Sequence, residues 1–134
     1  MQTDGAARGN PGPAGIGGFV FVDGQLKDSF KAYIGQTTNN VAEYRALLEG
    51  LKLAQKYKAA AVKVLLDSEL VVRQLLGVYK VKNAGLKPYY LAVKELLKDY
   101  KQVEVEHIYR EENKEADALA NEAINEGVRP YRCS

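Results

Sequence analysis

The sequence predicts an α/β fold in which a mixed sheet is flanked by helices. Three observations carry that expectation. Two early apolar runs meet at Asp23-Gly24, a dipeptide that accepts the positive φ of a tight hairpin turn. Apolar residues then recur at helical spacing within 44–54, 86–97 and 116–124. Two short aliphatic runs, Val62 to Leu66 and Val103 to Tyr109, alternate with those helices. Antiparallel strands followed by alternating helix and strand form a mixed sheet with helices packed on its faces.

Taken in order, the chain opens on a strand that ends at or near Asp4. The run Gly9-Asn10-Pro11-Gly12-Pro13-Ala14-Gly15 is expected to be a turn or loop. Ile16 to Val22 reads as a buried strand with Phe19, Val20, Phe21 and Val22 at its heart, and Leu26 to Ile34 returns beside it. Thr37-Thr38-Asn39-Asn40 offers capping side chains to a helix with the stripe Tyr44, Leu47, Leu48, Leu51 and Ala54, ending near Tyr57. After the strand Val62 to Leu66, a helix begins at Glu69 and runs through Leu70, Val71, Gln74 and Leu75 to Gly77. Lys80 to Gly85 links it to a helix from about Leu86 to Tyr100, whose face is Leu86, Tyr89, Tyr90, Val93, Leu96 and Leu97. Val103 to Tyr109 is the last strand. Asn113 is expected to cap a final helix with the stripe Ala116, Leu119, Ala120, Ala123 and Ile124.

With 134 residues, 46% apolar and 27% charged, the chain is expected to form one domain over 1–134, with a basic tail from about 128 onward that holds Arg129 and Arg132. No apolar run approaches the roughly 18 residues that a membrane helix needs, and no basic-then-apolar leader opens the chain, so the expected compartment is the cytoplasm. Cys133 has no second cysteine to pair with and reads as a stray thiol. Net charge is +2, yet seven basic residues stand against two acidic ones between Arg73 and Lys101. That stretch is either a solvated helix face or a patch that attracts a polyanion.

Four acids stand at turns and helix starts rather than in a charge run: Asp4, Glu43, Asp67 and Asp117. Each has a local explanation. Asp4-Gly5 suits a turn. Glu43 lies three residues after Asn40, as in a capping box. Asp67-Ser68 suits a helix cap. Asp117 would sit in the first turn of the last helix, where the macrodipole favours an anion. Brought together, the same four would repel one another strongly and call for a divalent cation.

Four strings bear on that choice. Asp4-Gly5-Ala6-Ala7-Arg8-Gly9-Asn10-Pro11-Gly12-Pro13-Ala14-Gly15-Ile16-Gly17 resembles the opening motif of type 1 ribonuclease H. Thr37-Thr38-Asn39-Asn40-Val41-Ala42-Glu43-Tyr44 resembles its second motif. Leu66-Asp67-Ser68-Glu69-Leu70-Val71-Val72-Arg73-Gln74 resembles its third, and Arg110 to Asn121 its fourth. The motifs occur in order and span nearly the whole chain. The resemblance is to the short bacterial and archaeal forms that lack a basic insertion.

The resemblance implies a ribonuclease H-like fold with a five-stranded mixed sheet. It implies endonucleolytic cleavage of the RNA strand of an RNA–DNA hybrid, leaving 5′-phosphate and 3′-hydroxyl ends. Asp4, Glu43, Asp67 and Asp117 take the positions of the family's catalytic, metal-holding carboxylates. Asp4 is expected to bridge two Mg²⁺ ions roughly 4 Å apart, with Asp67 and Glu43 on the leaving-group ion and Asp117 on the other. Mn²⁺ suits the same hard oxygens, whereas one histidine and one cysteine argue against zinc. Gly5 in the glycine-rich loop, Asn10 and Asn39 are expected to read the RNA strand through its 2′-hydroxyls, with Gln74 a further candidate. Thr38 and Asn40 match a pocket for a DNA-strand phosphate. The same asparagines also serve as turn and helix caps.

Two departures shape the expectations. The basic insertion after the third motif is replaced by Lys80-Val81-Lys82-Asn83-Ala84-Gly85, so hybrid affinity is expected to rest on Lys80, Lys82, Lys87 and the basic tail. Many members carry a histidine in the loop before the fourth carboxylate. Here His107 falls inside a strand, in phase with Val103 and Val105, and is expected to pack against the sheet. Arg110 is the cation left to assist in its place. The expected protein is a monomer that needs no protein partner. An inactive binding module of the same fold, or a nuclease for double-stranded RNA, are the alternative readings.

Overall fold

The computed structural model describes residues 1–128. The basic tail with Arg129 and Arg132, and Cys133, lie outside them. The elements are β1 (Gln2–Ala7), β2 (Gly12–Val22), β3 (Gln25–Thr37), α1 (Asn39–Ala54), β4 (Ala61–Leu66), α2 (Glu69–Leu75), α3 (Lys87–Leu97), β5 (Gln102–His107) and α4 (Lys114–Val128). Short 3-10 turns follow α1 and precede α4. The five strands form one sheet in the order β3-β2-β1-β4-β5. β1, β2 and β3 pair antiparallel, while β1–β4 and β4–β5 pair parallel. The expected mixed five-stranded sheet is therefore present, with Asp4 on its central strand.

β1 is anchored to β4 at its start. The Met1 amino group donates to Lys63 O at 2.8 Å, Leu65 N–H donates to Met1 O at 2.9 Å, and Gln2 is in register with Leu65. β2 departs from expectation at both ends. Gly12 to Gly15 are strand, not loop. A methyl at Gly15 would overlap the Ala120 carbonyl, and one at Gly17 would meet Leu119 Cβ and the Ala120 amide. The glycines are thus strand residues on which α4 lies directly, a reason the local sequence does not display. Residues of opposite parity, Ile16 and Val20, are buried towards α1. Phe19 and Phe21 share the α4 face but lie past the crossing of the helix, and Phe21 is 44% exposed rather than buried.

The main core lies between the sheet and α1, α2 and α3. It joins Tyr44, Leu47 and Leu51 to Val64 and Leu66, to Val71, Val72 and Leu75, and to Leu86, Val93 and Leu97. These are the stripes that the 3.6-residue period marks, and each large apolar side chain buried contributes about 1.5–3 kcal/mol. Leu70, expected within the α2 stripe, is instead 38% exposed. His107 is the last residue of β5, which stops short of the expected Tyr109, and it is exposed on this edge strand, with Tyr109 edge-on to its ring at 5.8 Å between centroids. The packed histidine expected from strand phase is corrected, because His107 lies at the end of β5, beyond Val105, the in-phase residue that packs partly against the core. Among the described residues no helix is long and apolar enough to cross a membrane.

Candidate active site

Asp67 directly follows β4, at the carboxyl edge where open α/β sheets place their sites, whereas Asp4 lies midway along β1, which runs on to Ala7 instead of ending at or near Asp4 as expected. Asp4 is in register with Gly17 and shares the α4 face. Gly5 has the opposite parity and faces α1. A side chain there would overlap the Ala42 carbonyl and crowd the Glu43 amide. The bare Gly5 backbone lets the start of α1 settle on β1, and this brings Glu43 beside Asp4.

Capping chemistry releases two of the acids. Thr38 Oγ1 accepts from Val41 N–H at 3.3 Å and caps α1, so Glu43 plays no part in a capping box. Ser68 Oγ accepts from Val71 N–H at 3.3 Å and caps α2, so Asp67 is not the cap. Asp117 does lie in the first turn of α4. One oxygen each from Asp4, Glu43 and Asp67 lie within 4.8 Å of one another. Asp117 lines the same open pocket of about 200 Å³, together with Gly5, Ala6, Asn39 and Arg110.

The electrostatics are those of a site suited to a cation. Burial is the main cause that pushes Asp4 up to about 9, followed by the charge of Asp67, a hydrogen bond to Asp117 and the charges of Glu43 and Asp117. Burial likewise pushes Glu43 up to about 7, and the Asp67 charge adds to it; the Ser68 hydroxyl, the Asn39 amide and the Arg110 charge act in the opposite direction. Glu43 Oε2 is buried with no hydrogen-bond partner among the described residues. An orphaned, desolvated oxygen on a carboxylate clustered with two others is costly unless something positive lies among them. An all-oxygen set of three or four carboxylates fits Mg²⁺ or Mn²⁺.

Asn113 is the residue that sequence reasoning misplaced. It does not cap α4 with its side chain. It is fully buried at the end of the 3-10 turn before α4, and its Nδ2 donates to Thr3 O at 3.1 Å and to Asp67 Oδ2 at 2.9 Å. Its Oδ1 accepts from Gln2 Nε2 at 3.1 Å. One amide therefore ties Asp67 to the central strand. Asn113→Ala is expected to cost about 1–3 kcal/mol by leaving buried partners unpaired. It should also lower activity by about tenfold, as loss of an outer partner of a metal ligand does. Urea unfolding and steady-state rates check both.

The other expected site residues divide. Asn39 Nδ2 donates to Glu43 Oε1 at 3.3 Å, its Oδ1 accepts from Ala7 N–H at 3.3 Å, and its own N–H donates to Asn10 Oδ1 at 3.3 Å. Asn10, Asn39 and Gly5 thus join the turn between β1 and β2 to the acidic pocket. Asn40 occupies the first turn of α1 beside them. Gln74 is inside the protein, 5% exposed, where Tyr44 donates to its Oε1 at 2.6 Å. Its amide satisfies a buried phenol instead of facing a substrate. Lys80 and Lys82 on the link after α2, and Lys87 at the start of α3, are exposed and do not line the pocket.

The family follows from this fold and this site. A family model described as reverse transcriptase-like matches residues 2–123. The chain is 39% identical over 125 residues to a ribonuclease HI of Halobacterium salinarum, covering 92% of this chain and 62% of that one. It is 43% identical over 128 residues to a bifunctional protein of Mycobacterium tuberculosis, covering 93% of this chain but 35% of that one. The chain thus spans about a third of the mycobacterial relative's length and under two thirds of the archaeal one's. An RNase H1 solved in complex with an RNA/DNA hybrid superposes with a TM-score of 0.87 at 44% identity, covering 95% of this chain and 96% of that one. The chain belongs to the type 1 ribonuclease H family.

Proposed function

We propose that this protein is a metal-dependent endoribonuclease that cuts the RNA strand of RNA–DNA hybrids, acting as a monomer in the cytoplasm and leaving 5′-phosphate and 3′-hydroxyl ends. The observation that carries this reading is the convergence of Asp4, Glu43 and Asp67 within 4.8 Å in a pocket that Asp117 also lines. Similarity to an RNase H1 held on a hybrid supports the choice of substrate.

Asp4, Glu43 and Asp67 would hold one divalent ion, and Asp4 with Asp117 a second. Two such ions supply charge neutralisation of the phosphate, activation of a water and stabilisation of the leaving oxygen. The chain's own residues fix the geometry around that chemistry. Asn113 orients Asp67, and Asn39 orients Glu43. The turn of residues 8–11, with Asn10 and Asn39, presents amide groups suited to 2′-hydroxyls, and Thr38 and Asn40 lie at the α1 start, where an anion is favoured. Lys80, Lys82 and Lys87 supply positive charge towards the polyanion.

Arg110 lines the acidic pocket, and its charge acts on Glu43. It is the nearest cation to the pocket ahead of Asp117, and it assists by balancing the negative charge that develops on the leaving oxygen. Arg110→Ala is expected to slow single-turnover cleavage by about tenfold; unchanged single-turnover and steady-state rates would refute that role.

The whole reading is tested with labelled RNA–DNA, RNA–RNA and DNA–DNA duplexes, in Mg²⁺ and in EDTA. Cutting of RNA in the hybrid alone, abolished by EDTA, is the expected result. Binding without cutting would make the protein a hybrid-binding module, and cutting of RNA–RNA would reassign its substrate.

A further inference from the structure

Asp117 is held by an asparagine of its own helix. Asn121, one helical turn further along α4, donates from Nδ2 to Asp117 O at 3.0 Å and to Asp117 Oδ1 at 3.2 Å. The opposite end of the same side chain faces the turn between β1 and β2. Arg8 Nη2 lies 3.4 Å from Asn121 Oδ1 and 3.4 Å from Asn121 O. Asn39 repeats the pattern on the other side of the turn, accepting from Ala7 N–H and donating to Glu43. Ala7, the last residue of β1, and Arg8, the first of the turn that follows, are therefore joined, each through a single asparagine amide, to two different acids of the pocket.

The Arg8 link is the looser of these contacts, and Arg8 is exposed at the rim. A guanidinium has five N–H donors in a rigid fork, and at Asn121 Arg8 engages through Nη2. A phosphate that gripped the remaining edge would fix the guanidinium, and with it the Asn121 amide and the Asp117 carboxylate. Conversely, an ion on Asp117 would hold Asn121 and preset Arg8. Such coupling is reciprocal by linkage.

We propose that Asn121 is a positioning residue for Asp117, and that through Arg8 it couples the grip of a nucleic-acid strand on the β1–β2 turn to divalent-metal affinity at Asp117. The inference rests on the reading of the pocket as the metal site of a hybrid nuclease.

Four proteins decide it: wild type, Asn121→Ala, Arg8→Ala and the double variant. Mn²⁺ binding to the free proteins is followed by electron paramagnetic resonance, and hybrid affinity by fluorescence anisotropy in EDTA. The Mg²⁺ midpoint of cleavage is measured at saturating and at low hybrid concentration. Asn121→Ala is expected to weaken Mn²⁺ binding and to raise the Mg²⁺ midpoint, each by about tenfold. Excess Mg²⁺ should restore its kcat to within about twofold of wild type, which a merely structural defect would not allow. In wild type the Mg²⁺ midpoint should fall by about fivefold as hybrid saturates. That dependence should vanish in Arg8→Ala, with no further loss in the double variant. A wild-type Mn²⁺ affinity in Asn121→Ala, or a lost kcat that Mg²⁺ cannot restore, overturns the positioning role. A hybrid-dependent midpoint that survives in Arg8→Ala overturns the coupling. If wild type cuts no hybrid, the proposed function fails instead, and the Mn²⁺ titration still decides what Asn121 does.

Discussion

Gly5→Ala should abolish measurable cleavage and destabilise the protein by about 3 kcal/mol or more. Adding one methyl to a packed core costs about 1–3 kcal/mol when the neighbours are flexible side chains. At Gly5 the neighbours are backbone: the Ala42 carbonyl and the Glu43 amide. Neither can move without lifting the start of α1 off β1. That shift has a chemical consequence, because Glu43 reaches Asp4 and Asp67 through that contact. Even a displacement of about 1 Å in a catalytic group costs on the order of 100-fold in rate. The measurement is a urea denaturation curve beside a hybrid cleavage assay, with Gly24→Ala as the comparison. A Cβ at Gly24 meets nothing within 4 Å, though its φ of +80° carries a strain of its own. Gly24→Ala should therefore lose some stability and keep its rate. A Gly5→Ala protein with near wild-type rate would show that α1 can tilt without disturbing the acids.

The same glycine marks the boundary of what the sequence can display. The four acids were legible as a set because they recur in four ordered strings. The neighbours that free them, Thr38 and Ser68, are also ordinary cap residues that a local reading finds. The helical stripes of α1 and α3 carry their burial in their spacing. What stayed hidden depends on partners far along the chain. Asn113 looks like a cap until Thr3, 110 residues away, is seen to accept from it. Gln74 looks like a surface amide until the Tyr44 phenol is found above it. Gly15 looks like loop because its lack of a side chain leaves room for α4, more than 100 residues later. Periodicity reports which face is buried; it does not report which polar groups will need one another once the faces meet.

Asp4→Asn should stabilise the metal-free protein while removing its activity. Asp4 is pushed from 3.8 up to about 9, and Glu43 from 4.5 up to about 7. An acid with a folded pKa above its unfolded one binds more protons folded than unfolded, so its contribution favours folding at low pH. Stability from these two groups is therefore greatest below about pH 4 and declines as pH rises through 7 towards 9. Asparagine is a neutral isostere that escapes this decline. In EDTA at pH 8, Asp4→Asn should raise Tm by about 4 °C or more, the equivalent of at least about 1 kcal/mol. The gain should shrink as pH is lowered to 5, because the proton that wild-type Asp4 must take up on folding then costs less as pH nears its unfolded value. Saturating Mg²⁺ should reverse the ranking: wild type gains stability by mass action, about 2.7 kcal/mol at a hundred times Kd, and the variant, short of one carboxylate, gains less. Metal chemistry at a phosphate contributes several kcal/mol to the transition state. At about 1.4 kcal/mol per tenfold, loss of a ligand proposed to be common to two ions predicts a fall of about a thousandfold in kcat. A variant that is both more stable and inactive is the mark of a residue kept for chemistry at the expense of folding. A variant less stable in EDTA at pH 8 would show that the acidic cluster is relieved by something other than protonation or a cation.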